Sequence, residues 1–168
     1  MQNWDSYIHL RKDFNWGDPD AIDPIFLHTL DNYLDALHCK AYIANAVRPP
    51  GGSKYKNSAH IKDDKGLVYG CDLYPLRKKT RVELFDCFLL ATKFPFTGIG
   101  IYPQWKFLRE GALEYGGLHL DCTPHRKLRP GQRVGYWMGV SKWYEEKKSW
   151  GQDMVGIDRH SLRQYGLL

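Results

Sequence analysis

His60, Asp72 and His119 are the residues of this 168-residue chain best suited by type to hold a metal ion. Two imidazoles and one carboxylate are a ligand set that a catalytic zinc uses when it keeps a fourth position open for water. Zinc held in that way lowers the pKa of water to about 7, which makes hydroxide available at neutral pH. His28 and His38 sit in a helix-like stretch without a partner at ligand spacing, and His9, His125 and His160 lie in polar surroundings. These five read as surface or packing residues. Two distant histidines and an aspartate arise by chance in most chains of this length, so the neighbouring residues must carry the argument.

Those neighbours form four pieces in order. Val47-Arg48-Pro49 leads into a loop dense in Pro, Gly, Ser and Lys (Arg48 to Ser58), which runs into Ser58-Ala59-His60. Gly70-Cys71-Asp72 follows. Gly98-Ile99-Gly100-Ile101-Tyr102-Pro103 then leads to Leu118-His119-Leu120-Asp121. In a strand the last piece sends His119 and Asp121 to one face. Together the pieces resemble the zinc D-alanyl-D-alanine carboxypeptidase family, which shares its fold with the hedgehog signalling domain. The likeness covers about residues 41–140 and is closest to the branch whose final ligand lies in a His-x-Asp pair.

The resemblance implies zinc on His60, Asp72 and His119, and hydrolysis of peptidoglycan stem peptides of the D-Ala-D-Ala carboxypeptidase or L-Ala-D-Glu endopeptidase type. It implies that Arg48 holds a substrate carboxylate or polarises the scissile carbonyl, a task suited to a rigid, always charged guanidinium fork. Ser58, Tyr102 and Trp137 are candidates for the substrate groove. A general base is needed beside the zinc water. Many family members carry a glutamate shortly before the last histidine, at the position that Gly116 holds here. Asp121 is then the first candidate, either as base or as a buried acceptor, and Glu114 is the reserve. The interval from His60 to Asp72 is twelve residues, longer than the family's usual spacing. Ile61-Lys62-Asp63-Asp64-Lys65 reads as an inserted tip that loops out, and Asp63 or Asp64 is a weaker ligand candidate than Asp72.

Elements must bring these residues together. Asp23-Pro24 reads as an N-cap followed by proline at the first helical position. Phe26, Leu27, Leu30, Tyr33, Leu34 and Leu37 repeat at three and four, which predicts a helix over about 24–38. A second helix is expected over about 80–92. Strands are expected at 41–47, 67–73, 98–102, 118–121 and 133–140. Gln104 to Gly116 reads as a loop with a short helical turn, a lid or substrate wall. Residues 1–22 read as a packed arm, 23–140 as the peptidase-like core, and 141–168 as a polar, basic extension with one or two short helices. Helices segregated from short strands point to a single α+β domain, a small and mostly antiparallel sheet flanked by helices in the hedgehog/DD-peptidase manner.

Composition bounds the partners. Hydrophobic residues make up 43% and charged residues 26%, which is globular, and no apolar run reaches the length of a membrane span. Twenty-four Lys and Arg against nineteen Asp and Glu give +5, which favours polyanions such as an anionic cell wall. The basic residues are scattered and match no nucleic-acid motif, so no specific nucleic acid is expected. The four cysteines (39, 71, 87, 122) contain no Cys-x-x-Cys and read as free thiols, with a contact between Cys71 and Cys122 left open. Met1-Gln2-Asn3-Trp4-Asp5 has no basic run leading into an apolar one, so no signal peptide is expected. A monomeric phage or prophage lysis enzyme, made in the cytoplasm and acting at the bacterial wall, is the expectation. Its rival is a wall-binding or virion module that keeps the fold without catalysis.

Overall fold

Asp23 opens the first helix. Its side chain accepts a hydrogen bond from the Phe26 backbone N–H at 2.9 Å, and Pro24 stands where a missing N–H is harmless. Helix α1 (Pro24–Leu37) buries Phe26, Leu27, Leu30, Tyr33, Leu34 and Leu37, and ends at His38 in the left-handed region with φ 50°. The computed structural model describes residues 3–38, 41–49, 58–75, 81–109, 112–124, 126, 133–144, 149–165 and 167. For 81–82, 107–109, 112–115, 142–144 and 149–151 it describes the backbone alone.

Six strands follow among the described residues: β1 (Ala41–Asn45), β2 (Gly70–Pro75), β3 (Gly98–Arg109), β4 (Ala112–Asp121), β5 (Gly135–Tyr144) and β6 (Ser149–Val155). They form one sheet in the order β1-β2-β4-β3-β5-β6. Helix α2 (Arg81–Ala91) packs on β3 and β4 and meets α1, and a short helix α3 (Arg159–Gln164) closes the described chain. The architecture is α+β. The sheet is mixed rather than mostly antiparallel, because β3 and β5 run parallel from Gly98↔Gly135 to Ile101↔Met138. The cause is where the chain leaves β4. Asp121 pairs with Gly98, and the connection rejoins the sheet at Gly135 on the far side of Gly98 without changing ends of the sheet. A strand so placed runs against β4 and therefore along β3.

Alternation gives the sheet two faces. Cys71 and Leu73, Ile99 and Ile101, Leu118 and Leu120, and Met138 and Val140 enter the apolar core shared with α1 and α2. Their neighbours Asp72, His119, Gly100 and Trp137 fall in one cross-strand row, since Asp72 pairs with His119, His119 with Gly100, and Gly100 with Trp137. The adjoining row is Gly70, Asp121, Gly98 and Gly135.

Two stretches differ from expectation. Of the stretch 104–116, residues 104–109 continue β3 and residues 112–116 begin β4 where a loop was expected, and 110–111 lie outside the described residues. The pairing shifts by two residues between Tyr102 and Lys106, and within that irregularity Tyr102 and Trp105, three apart, stack on one another, which departs from the period-two pattern of a strand. Within 141–168, β5 runs on to Tyr144 and β6 pairs with it, so the extension holds a sheet edge and one helix among the described residues. Residues 3–22 pack as expected: Leu10 and Trp16 are buried, and the Ile8 and His9 N–H groups donate to Asp31. Residues 50–57 of the Pro- and Gly-rich loop lie outside the described residues.

Gly116 has φ +82°, and a Cβ there would lie 2.6 Å from Leu84 Cδ2 on α2. Gly116→Ala is expected to lower stability by roughly 1–3 kcal/mol, from the left-handed backbone together with the contact. A chemical denaturation midpoint equal to that of wild type would contradict this.

Candidate metal centre

His60 is delivered by a tight turn rather than by a strand. Its carbonyl accepts from Arg48 N–H at 2.8 Å, the Ala59 carbonyl accepts from Tyr69 N–H at 3.1 Å, and Ser58 Oγ accepts from His60 N–H at 3.3 Å. Gly70 lies under this turn, where a Cβ would come within 2.9 Å of Ala59 Cβ. The segment Ile61–Lys65 between His60 and Asp72 loops out. Asp63 accepts from the N–H groups of Lys65 and Leu67 and from the Tyr69 hydroxyl, and it stays exposed with Asp64. Neither belongs to the cluster.

His60, Asp72 and His119 converge, and all three are buried. His60 Nε2 lies 3.1 Å from His119 Nδ1 and 3.2 Å from Asp72 Oδ1, and His119 Nδ1 lies 2.8 Å from Asp72 Oδ1. The outer atom of each ring fixes its tautomer. His60 Nδ1 donates to the Ala46 carbonyl at 2.8 Å, and His119 Nε2 donates to Asp121 Oδ2 at 3.0 Å. Neutral rings so arranged turn two nitrogen lone pairs and a carboxylate oxygen on one another at hydrogen-bond distance. Three acceptors at that range repel unless a positive charge stands among them. The group can hold a metal ion. Without one, a proton on His119 Nδ1 serves. Burial opposes that charge, but the bonds to Asp121 and Asp72 outweigh it and raise His119 to about 9. Asp72 is pushed up by its own burial and pulled further down by His119 and His60, which leaves it well below the usual carboxylate range.

No protein-family model, curated protein or solved structure matches this chain. The residues themselves must therefore define the site.

The cluster opens into a cavity of about 560 Å³. Of the residues singled out from sequence, Arg48, Ser58, Tyr102 and Trp137 line it with the three cluster residues. Arg48 Nη2 pairs with Asp72 Oδ2 at 3.0 Å, which turns the other carboxylate oxygen towards the imidazoles. Asp121 is not at the mouth. It is fully buried behind His119, bonded also to Thr97 Oγ1, the Thr123 N–H and Arg126. Burial pushes its pKa up, but His119 and Arg126 bring it down on balance. An ionised carboxylate with both oxygens engaged on the far side of the ring acts as an orienting acceptor, not as a base for water in the cavity. Glu114 pairs through its backbone with Phe107, five residues up β4 from His119, or roughly 17 Å along the strand. Its side chain lies outside the described residues.

Sequence reasoning missed Arg126, Trp105, Gln152 and Met154, which also line the cavity. Arg126 joins Asp121 to Trp137, over whose ring its guanidinium sits at 5.2 Å. The paired glycines Gly98 and Gly100 are the available signal. A Cβ at position 100 would stand 2.5 Å from Trp137 Nε1, and one at position 98 would collide with Asp121 and Arg126. Cys71 and Cys122 are free thiols.

Two outcomes follow for the centre. Asp121→Asn should weaken metal binding about 10- to 100-fold, read by competition with a chelating dye, because the acceptor that sets the His119 tautomer is lost. Affinity should also fall as pH falls. His119 must shed a proton held up to about 9, so below that pH each unit costs up to tenfold, with one proton released per ion from this group. Calorimetry in buffers of different ionisation enthalpy counts that proton, and pH-independent uptake between 6 and 9 would contradict the arrangement.

Proposed function

We propose that the protein is a zinc-dependent peptidase that hydrolyses amide bonds of peptidoglycan stem peptides, akin to the zinc D-alanyl-D-alanine carboxypeptidases. The observation that carries the reading is the convergence of His60 Nε2, His119 Nδ1 and Asp72 Oδ1 within 3.2 Å of one another at an open cavity. A triangle of that size lets all three atoms reach one ion at about 2.0–2.2 Å and leaves its cavity side open. The order of Arg48, Ser58-Ala59-His60, Asp72 and His119-Leu120-Asp121 along the chain supports zinc and the peptidase chemistry.

When bound, zinc would polarise the scissile carbonyl and make water acidic enough to attack it near neutral pH. The chain's own groups bind and orient. Arg48 stands on the cavity side of Asp72 and Arg126 on the cavity side of Asp121, two guanidiniums against two carboxylates. A divalent ion then leaves the site positive, which suits stem peptides that carry free carboxylates. His60 and His119 keep their lone pairs on the cavity because Ala46 and Asp121 hold their outer hydrogens. Water adds across the amide, giving one carboxylate and one amine. The +5 charge favours an anionic bacterial wall as the place of action.

A second reading rests on one observation. Among the described residues that line the cavity, the sole carboxylate is Asp72, and it is engaged by both histidines and Arg48. A wall-binding module that keeps the metal without hydrolysis needs no further base. Zinc-loaded protein incubated with purified peptidoglycan should release new amino groups, and His60→Ala should release none. Metal analysis of the purified protein should find one zinc per chain. Absence of release, with wild type and His60→Ala retained equally on the wall, would replace the peptidase with the binding module, and iron in place of zinc would overturn the metal assignment.

A further inference from the structure

Tyr102 lines the cavity beside the cluster, yet its hydroxyl is used in one direction only. An indole nitrogen has a hydrogen to give and no lone pair, so in the 2.7 Å contact Trp137 Nε1 donates and the Tyr102 oxygen accepts. The phenol's own hydrogen meets no acceptor among the described residues. Tyr102 is only 5% exposed, and a buried donor left without a partner is costly. The ring is also held in place. Trp105 stacks on it with centroids 3.8 Å apart and planes 10° apart, and on β5 Gly139 leaves room for its edge, where a Cβ would collide with Tyr102 Cδ1 and Cε1. Gly100 does the same for Trp137, so both members of the hydrogen-bonded pair are seated by glycines on neighbouring strands.

We infer that the Tyr102 hydroxyl is a fixed hydrogen-bond donor to an oxygen of the molecule that occupies this cavity, a carbonyl oxygen that becomes a tetrahedral oxyanion during hydrolysis. The inference rests on the metal-centre reading above and adds a catalytic residue to it. Donors aimed in advance at developing charge need no rearrangement at the moment of reaction. Trp137 strengthens the effect, because a hydroxyl that accepts one hydrogen bond donates its own more strongly. Burial raises the phenol to about 12, against the bond from Trp137, and Asp72 raises it further while Arg48 and Arg126 pull it down. The group therefore keeps its hydrogen at neutral pH and serves as donor, not as base.

The test uses zinc-loaded protein with methylphosphonate as a tetrahedral oxyanion probe. Zinc affinity is measured first, then probe affinity by calorimetry in wild type and Tyr102→Phe, then the Trp137 indole N–H resonance with and without probe. Tyr102→Phe keeps the ring and its stacking on Trp105. It should bind zinc like wild type and the probe about 10- to 100-fold more weakly. In wild type the probe should move the indole resonance downfield, and in Tyr102→Phe it should not. Equal probe affinity in the two proteins with an unmoved indole resonance would overturn the Tyr102 role and leave the metal centre standing. Failure of wild type to bind zinc would remove the centre and the inference together. Should Tyr102→Phe bind zinc poorly, the wild-type resonance decides alone: a downfield shift supports the donor and no shift overturns it.

Discussion

Three acceptor atoms facing one another at 2.8–3.2 Å form the constraint on which the rest of the site depends. His60 and His119 have no freedom to relieve it by tautomer exchange, since Ala46 and Asp121 each hold the outer ring hydrogen. Relief comes from a cation: a proton on His119 supplies it, and the group can hold a metal ion in the same place. Arg48 and Arg126 balance the carboxylates from outside without entering it.

The sheet is what makes such crowding tolerable. One face of β2, β4, β3 and β5 is anchored in the core through Cys71, Leu73, Leu118, Leu120, Ile99, Ile101 and Met138. That packing fixes the height and register of the opposite face, where Asp72 and His119 stand side by side. Rows of glycine flank them. Gly70 admits the turn that carries His60, Gly98 admits the Asp121–Arg126 pair, and Gly100 admits the Trp137 indole. Groups drawn from four strands, a turn and a connecting segment thus meet over a surface that has been left bare to receive them.

Part of this was legible in the chain. The alternation of Leu118-His119-Leu120-Asp121 already put both polar residues on one face, and the polar, turn-like character of Ile61–Lys65 already marked a segment that would loop out. The first helix followed from a cap and a three-four repeat. The stretch 104–116 misled because its first residues lie in an irregularity of the pairing, where Tyr102 and Trp105, three apart, stack on one another instead of alternating. Residues 149–155 misled because an edge strand with exposed positions such as Met154 shows little apolar patterning. Arg126 offered no local cue, since its role comes from a partner five residues back on β4 and a ring on β5.

The residue types and their order determined the kind of chemistry available: two imidazoles, a carboxylate, a guanidinium, and the face on which the last histidine and aspartate lie. Those are properties of single side chains and of local periodicity, and they need no fold to be read. Distances and directions belong to the tertiary structure alone. Only the pairing of β2 with β4 brings Asp72 beside His119, and only the turn seated on Gly70 brings His60 to both. Whether Asp121 faces the cavity or stands behind the ring also follows from which imidazole nitrogen the sheet turns inward. Direction in space is a joint property of several strands, and no single segment contains it.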